Sequence, residues 1–204
     1  MSLSKQGTIT FIRRQFVAAV ICGSALTIAV HAQDGPKDAV VLIIRHAEDA
    51  DTGRGLSDRG QQRAEAYRDY FLNFTVDSKR SEPQAIFTAK DSKPSQRPSL
   101  TVEPFAKAAG LQIDTRFGNS QSTELATALR NTQQGKVILI CWRHGNIPAL
   151  LRALGASSES LLPRGKWPGS VYDWVLLLSY DQEGHLIPSS SRRINERLLP
   201  GDSQ

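Results

Sequence analysis

Cysteine is nearly absent from these 204 residues: Cys22 and Cys141 are the two, and Cys22 falls in an N-terminal apolar run. One thiol in the remainder excludes an intramolecular disulfide there, and no CxxC pair or Cys/His metal spacing occurs. An HExxH sequence is missing too. So is any run of lysines and arginines or basic stripe interleaved with aromatics, and binding to nucleic acid is therefore not expected. The longest N-terminal apolar run, Phe16–Val30, has 15 residues, against the roughly 20 needed to cross a bilayer. There is no internal repeat and no second-domain boundary.

The N-terminus reads as a targeting segment. Residues 1–32 carry Lys5, Arg13 and Arg14, no acid, the apolar run and then Val30-His31-Ala32. That is a basic n-region, an h-region and a small-residue cleavage site near Ala32. The pair Arg13-Arg14 ahead of the run fits a Tat signal as well as a Sec signal. The expectation is an exported, periplasmic protein that meets the membrane only in transit; an uncleaved anchor is the alternative. Without this segment the formal charge of +5 falls to +2 for residues 33–204. A chain of about 170 residues buries roughly 70% of its unfolded surface in one core, so it needs no disulfide.

What the sequence does contain is a repeated pattern. "VVLIIRHAED", Val40 to Asp49, runs aliphatic residues into Arg45-His46, and "KVILICWRHGN", Lys136 to Asn146, runs them into Arg143-His144. Each apolar stretch has the continuous β-branched and aliphatic composition of a strand covered on both faces. Between them, Ser57 precedes a helical pattern of Ala64, Tyr67, Phe71 and Phe74. "AIFTA" from Ala85 reads as a strand, and a helix ends at Ala109 with Gly110 as its left-handed cap. "LQIDTRFG" holds a short edge strand, Thr123 to Arg130 a helix, and "NIPALLRALG" a helix with Pro148 in its first turn. "SSESLLPRGKWPGS" reads as a long loop. "VYDWVLLLSY" is a further apolar strand, with an antiparallel return from His185 to Ile194. Strands alternating with helices predict a single α/β domain. Its sheet would be mainly parallel, with helices on both faces and an antiparallel C-terminal edge strand.

In an open parallel sheet, ligands bind outside the carboxyl ends of the strands. His46 and His144 are both delivered to that edge. Two histidines can bind a metal, but such sites need a third ligand and an adjacent arginine repels a cation. Arginine favours the opposite charge, because its planar fork matches phosphate oxygens. Arginine and histidine around an oxyanion describe a phosphate site in which one imidazole can attack phosphorus.

"IIRHAED", "GLSDRGQQRA", "IFTAKDSKPSQRPSLTVEPFAKAAGL" and "ICWRHGNIPALLRALG" follow one another in an order and spacing that resemble the histidine phosphatase (phosphoglycerate mutase-like) superfamily. The resemblance covers about Val40 to Gly155 and implies a catalytic domain over residues 33–204. It implies His46 as the nucleophile that carries a phosphohistidine, Arg45 and Arg97 as phosphoryl clamps, and His144 as a hydrogen-bond donor to the transferring group. It implies hydrolysis of small phosphomonoesters or phosphoramidates with no metal and no cofactor. The second clamp is placed at Arg97 and not at Arg143, which either adds positive potential or takes a solvated or structural place. The general acid does not carry over, since His144 is followed by Gly145-Asn146. Glu48, Asp114 and Glu124 are the candidates, Glu48 also as a partner that orients Arg45. Mutase-type phosphoryl transfer and a phosphate-binding module without turnover stay open as alternatives. No oligomeric state follows from the sequence.

Overall fold

The computed structural model describes residues 35–131 and 137–202. The expected export signal, residues 1–32, lies outside them. In chain order the elements are β1 (Val40–Arg45), α1 (Asp58–Leu72), β2 (Thr75–Val76), β3 (Lys79–Arg80), β4 (Ala85–Thr88), α2 (Arg97–Ala109), β5 (Ile113–Asp114), α3 (Ser122–Asn131), β6 (Val137–Trp142), α4 (Ile147–Ala153), α5 (Ser158–Leu161), β7 (Trp174–Ser179) and β8 (Arg192–Asn195). Six strands form one sheet in the order β5-β4-β6-β1-β7-β8, and β2 and β3 form a separate hairpin.

Strand periodicity divides the core between the two faces of that sheet, because successive side chains point to opposite sides. Val41, Ile43, Ile138, Ile140, Leu176 and Leu178 pack with residues of α3 and α4. Leu42, Ile44, Leu139, Cys141, Val175 and Leu177 pack with Tyr67 and Phe71 of α1 and Val102 and Phe105 of α2. Both faces are covered, which is why these strands read as unbroken apolar runs. Strands β5, β4, β6 and β1 run parallel; β7 is antiparallel to β1, and β8 antiparallel to β7. Among the described residues no helix is long and apolar enough to cross a membrane.

Local chemistry explains the boundaries that position the site. Ser57 caps α1, its Oγ accepting the Gly60 N–H at 3.1 Å. Gly60 is where α1 touches the chain leaving β1: a Cβ there would lie 2.4 Å from the Glu48 carbonyl oxygen. Gly110 ends α2 in the left-handed conformation at φ 66°, which costs glycine no Cβ clash.

Three segments differ from the sequence reading. The stretch after Gly155 is not plain loop, since it contains α5 and a 3-10 turn, Pro163–Gly165; Leu161 and Leu162 are buried and anchor it. The return after His185 is a bridge between Tyr180 and Leu186, a 3-10 turn at Pro188–Ser190 and then β8. The β2–β3 hairpin was unexpected, because its turn residues Asp77 and Ser78 take positive φ without glycine, whereas Asn-Gly or Asp-Gly is the usual signal.

Candidate active site

The in-register parallel pairing of β1 with β6 sets Arg45 beside Trp142. The ladder continues one step further, with the His46 N–H donating to the Trp142 carbonyl at 3.1 Å. Both Arg-His pairs therefore leave the sheet at the carboxyl edge. The imidazoles of His46 and His144 meet there edge to face, with ring centroids 6.2 Å apart.

His46 is buried and its orientation is fixed. Its Nδ1 lies 2.8 Å from the Ala47 carbonyl oxygen and 3.2 Å from Asp49 Oδ1. Both partners are acceptors, so Nδ1 carries the proton and Nε2 keeps its lone pair. Burial pushes the His46 pKa down to about 4, with Arg45 and Arg97 pushing the same way against the Ala47 carbonyl and Asp49. The ring is neutral at neutral pH, the state a nucleophilic nitrogen requires. The His144 pKa is also lowered, first by burial and then by Arg45.

Arg45 is held with unusual completeness for a residue at a strand end. Its Nη1 donates to the carbonyls of Gly169 and Val171 at 2.8 Å each and of Pro168 at 3.3 Å. The guanidinium carbon stands 3.7 Å from the centre of the Tyr172 ring, a cation–π distance. Its Nε, by contrast, is buried without a hydrogen-bond partner, as is Nδ1 of His144. An unsatisfied buried polar atom costs about 1–3 kcal/mol.

Arg97 is the first residue of α2 and donates through Nε to Ser95 Oγ at 3.0 Å. One turn on, Thr101 Oγ1 donates to the Arg97 carbonyl at 2.7 Å and accepts the Ala47 N–H at 2.9 Å. The Arg-x-x-x-Thr spacing thus ties the start of α2 to the residue after His46. The Arg97 Nη1 pairs with Asp49 Oδ2 at 2.6 Å.

The structure brings Arg45, His46, Arg97 and His144 to one edge and leaves the three candidate acids elsewhere. Glu48 is engaged with Arg63, whose Nη2 and Nε lie 2.8 and 3.0 Å from its two oxygens, and with Arg59 at 3.1 Å. It makes no hydrogen bond to Arg45, so the role of orienting Arg45 passes to the 168–171 carbonyls. Arg63 also binds Asp202, which closes the C-terminal segment onto α1. Asp114, at the end of β5, is chelated by Arg116, and Glu124 is exposed on the first turn of α3. Among the described residues no hydrogen bond or ion pair joins either to a histidine. Arg143 donates to Ser92 Oγ at 2.8 Å and pins the loop before α2. Cys141 and both Trp167 and Trp174 are buried core. Asp181, Glu183 and His185 group their ligand atoms within 4.8 Å on the turn after β7, a cluster that includes neither site histidine.

Asp49 and Tyr172 were not singled out in the sequence. Asp49 sits in the "RHAED" stretch itself, three residues after His46, and only the folded turn shows that it faces back. Nothing in "WPGSVYDW" signals that its carbonyls and Tyr172 enclose Arg45.

No family model matches the chain, and no curated protein matches it. Solved structures do. A candidate alpha-ribazole-5'-P phosphatase from Escherichia coli superposes with a TM-score of 0.52 at 12% identity, covering 80% of this chain and 99% of that one. A candidate phosphohistidine phosphatase SixA from Agrobacterium tumefaciens gives 0.49 at 20% identity, with 74% and 96% covered. A phosphoserine phosphatase variant from Entamoeba histolytica gives 0.47 at 12%, with 73% and 94% covered. The first of these likenesses shows a shared fold, the phosphoglycerate mutase-like α/β fold.

Proposed function

We propose that this chain is a metal-independent phosphatase that hydrolyses small phosphomonoesters or phosphoramidates through a phosphohistidine on His46. The observation that carries the reading is the neutral, Nδ1-tethered His46 facing His144 between two arginines. In the first step the Nε2 lone pair forms a bond to phosphorus and the P–O or P–N bond breaks. The leaving group departs with that electron pair and takes up a proton. In the second step water attacks the phosphorus, the P–Nε2 bond breaks, and His46 is restored as inorganic phosphate leaves. The two imidazoles, 6.2 Å apart between centroids, are close enough for both to act on one phosphoryl group. Arg45 and Arg97 together supply the positive charge that stabilises the phosphoryl oxygens.

No carboxylate within the described residues stands where it would protonate a leaving group, which favours substrates with good leaving groups. A mutase reading has no observation in its favour. We further propose that residues 1–32 direct export. Hydrolysis of p-nitrophenyl phosphate in EDTA tests the activity. The wild type turns over and His46→Ala does not; equal rates in the two would end this reading.

A further inference from the structure

Asp49 has no part in the scheme above, yet its carboxylate lies within it. Its backbone bridges to Leu56, so the residue sits at the closed base of the 50–55 loop. One oxygen is 3.2 Å from His46 Nδ1 and the other 2.6 Å from Arg97 Nη1. Its charge also reaches Arg45 and His144. A negative group thus contacts two of the four side chains assembled for a phosphoryl group and acts on the charge of the other two.

Two consequences follow from these distances. A phosphate that reaches Arg97 competes with Asp49 for it, because its Nη1 is already paired. The second concerns the nucleophile. In an in-line displacement the attacking nitrogen, the phosphorus and the leaving atom are collinear. Asp49 touches Nδ1, on the side of the ring away from the attacking Nε2, so it stands behind the nucleophile and cannot protonate the leaving group. What it can do there is share the Nδ1 proton with the Ala47 carbonyl and keep the ring in the tautomer that leaves Nε2 free.

We propose that Asp49 is the resident counter-ion of the phosphoryl site and a positioning residue for His46. It neutralises Arg97 while the site is empty, yields that guanidinium to the incoming phosphoryl oxygens, and holds the Nδ1 proton throughout. The proposal rests on the phosphatase reading of the site.

The test uses the full chain and its Asp49→Ala, Asp49→Asn and Asp49→Glu variants, each checked by thermal melting for a folded state. Inorganic phosphate binding is measured by calorimetry, and p-nitrophenyl phosphate turnover by steady-state kinetics. A half-exposed ion pair and the like charge beside a bound phosphate together predict about fivefold tighter phosphate binding in the Ala and Asn variants. Their kcat falls roughly tenfold, a limited loss because Ala47 still accepts the Nδ1 proton. The Glu variant stays near wild-type phosphate affinity. A purely structural residue would loosen binding and turnover together. Unchanged or weaker phosphate binding in both neutral variants overturns the counter-ion role, and unchanged kcat overturns the positioning role. A wild type that neither binds phosphate nor turns over substrate refutes the phosphatase reading itself.

Discussion

Replacing Glu48 by Gln separates a structural carboxylate from a catalytic one. Glu48 is close to His46 in sequence, but its oxygens bind Arg63 and Arg59. Arg63 is 1% exposed, and the side chains of Glu48 and Asp202 are 12% and 4% exposed. Removing one partner of a buried ion pair costs about 3–5 kcal/mol when the other charge is left alone. Here Asp202 still holds Arg63, and a Gln oxygen still accepts one hydrogen bond, so the expected loss is about 2 kcal/mol. For a domain of about 170 residues that is a fall of roughly 4–8 °C in melting temperature. Turnover of p-nitrophenyl phosphate should change less than about threefold, and the dependence of rate on leaving-group pKa should keep its slope. Thermal unfolding by circular dichroism and a series of aryl phosphates provide both readings. An unchanged melting temperature with a rate that collapses selectively for poor leaving groups would refute the argument and make Glu48 the acid.

Other expectations concern His46, Arg97, the helix contact and the N-terminus. With the His46 pKa lowered to about 4, the acid limb of kcat/KM should lie near pH 4 and not near the ordinary histidine value. The unfolded ring binds its proton near pH 6.5 and the folded one near 4, so stability is full above 6.5 and falls as pH drops toward 4. The loss is on the order of 3 kcal/mol, and denaturant titrations of wild type and His46→Asn across that window should differ by about this slope. Arg97→Ala should raise KM or the phosphate dissociation constant about tenfold or more, for loss of a charge-assisted clamp; an unchanged value would remove Arg97 from the site. Gly60→Ala should destabilise by about 1–2 kcal/mol, overpacking against the Glu48 carbonyl outweighing the gain in helix propensity, as read from denaturant midpoints. Fractionation of a Gram-negative host should show a periplasmic product shorter than the 22.4 kDa chain; membrane-bound product at full mass would identify an uncleaved anchor.

Much of the sheet was legible because its strands are buried on both sides. Val41 to Ile44 and Ile138 to Cys141 have no polar interruption, and such runs announce central parallel strands. The short elements were illegible for the opposite reason. The turn at Asp77–Ser78 uses residues without the usual hairpin signature, and α5 has too few residues to show a period. At the site, the side chains delivered by strand ends could be read from order alone, since the sheet carries His46 and His144 to one edge. What required three dimensions was the competition for partners. Glu48 and Asp49 are adjacent acids after the same histidine, yet the turn sends one to Arg63 and the other to Arg97. The sequence reading weighed Glu48 and not Asp49, and only the direction of each side chain tells the two apart.

The most direct test of the account is to quench the protein after mixing with p-nitrophenyl phosphate under alkaline conditions, where a phosphoramidate survives, and to map the phosphoryl group by peptide mass spectrometry. The account predicts a phosphoryl group on the peptide that contains His46, absent from His46→Ala. Rapid turnover with His46 unmodified, or with the phosphoryl group on His144 instead, would contradict it.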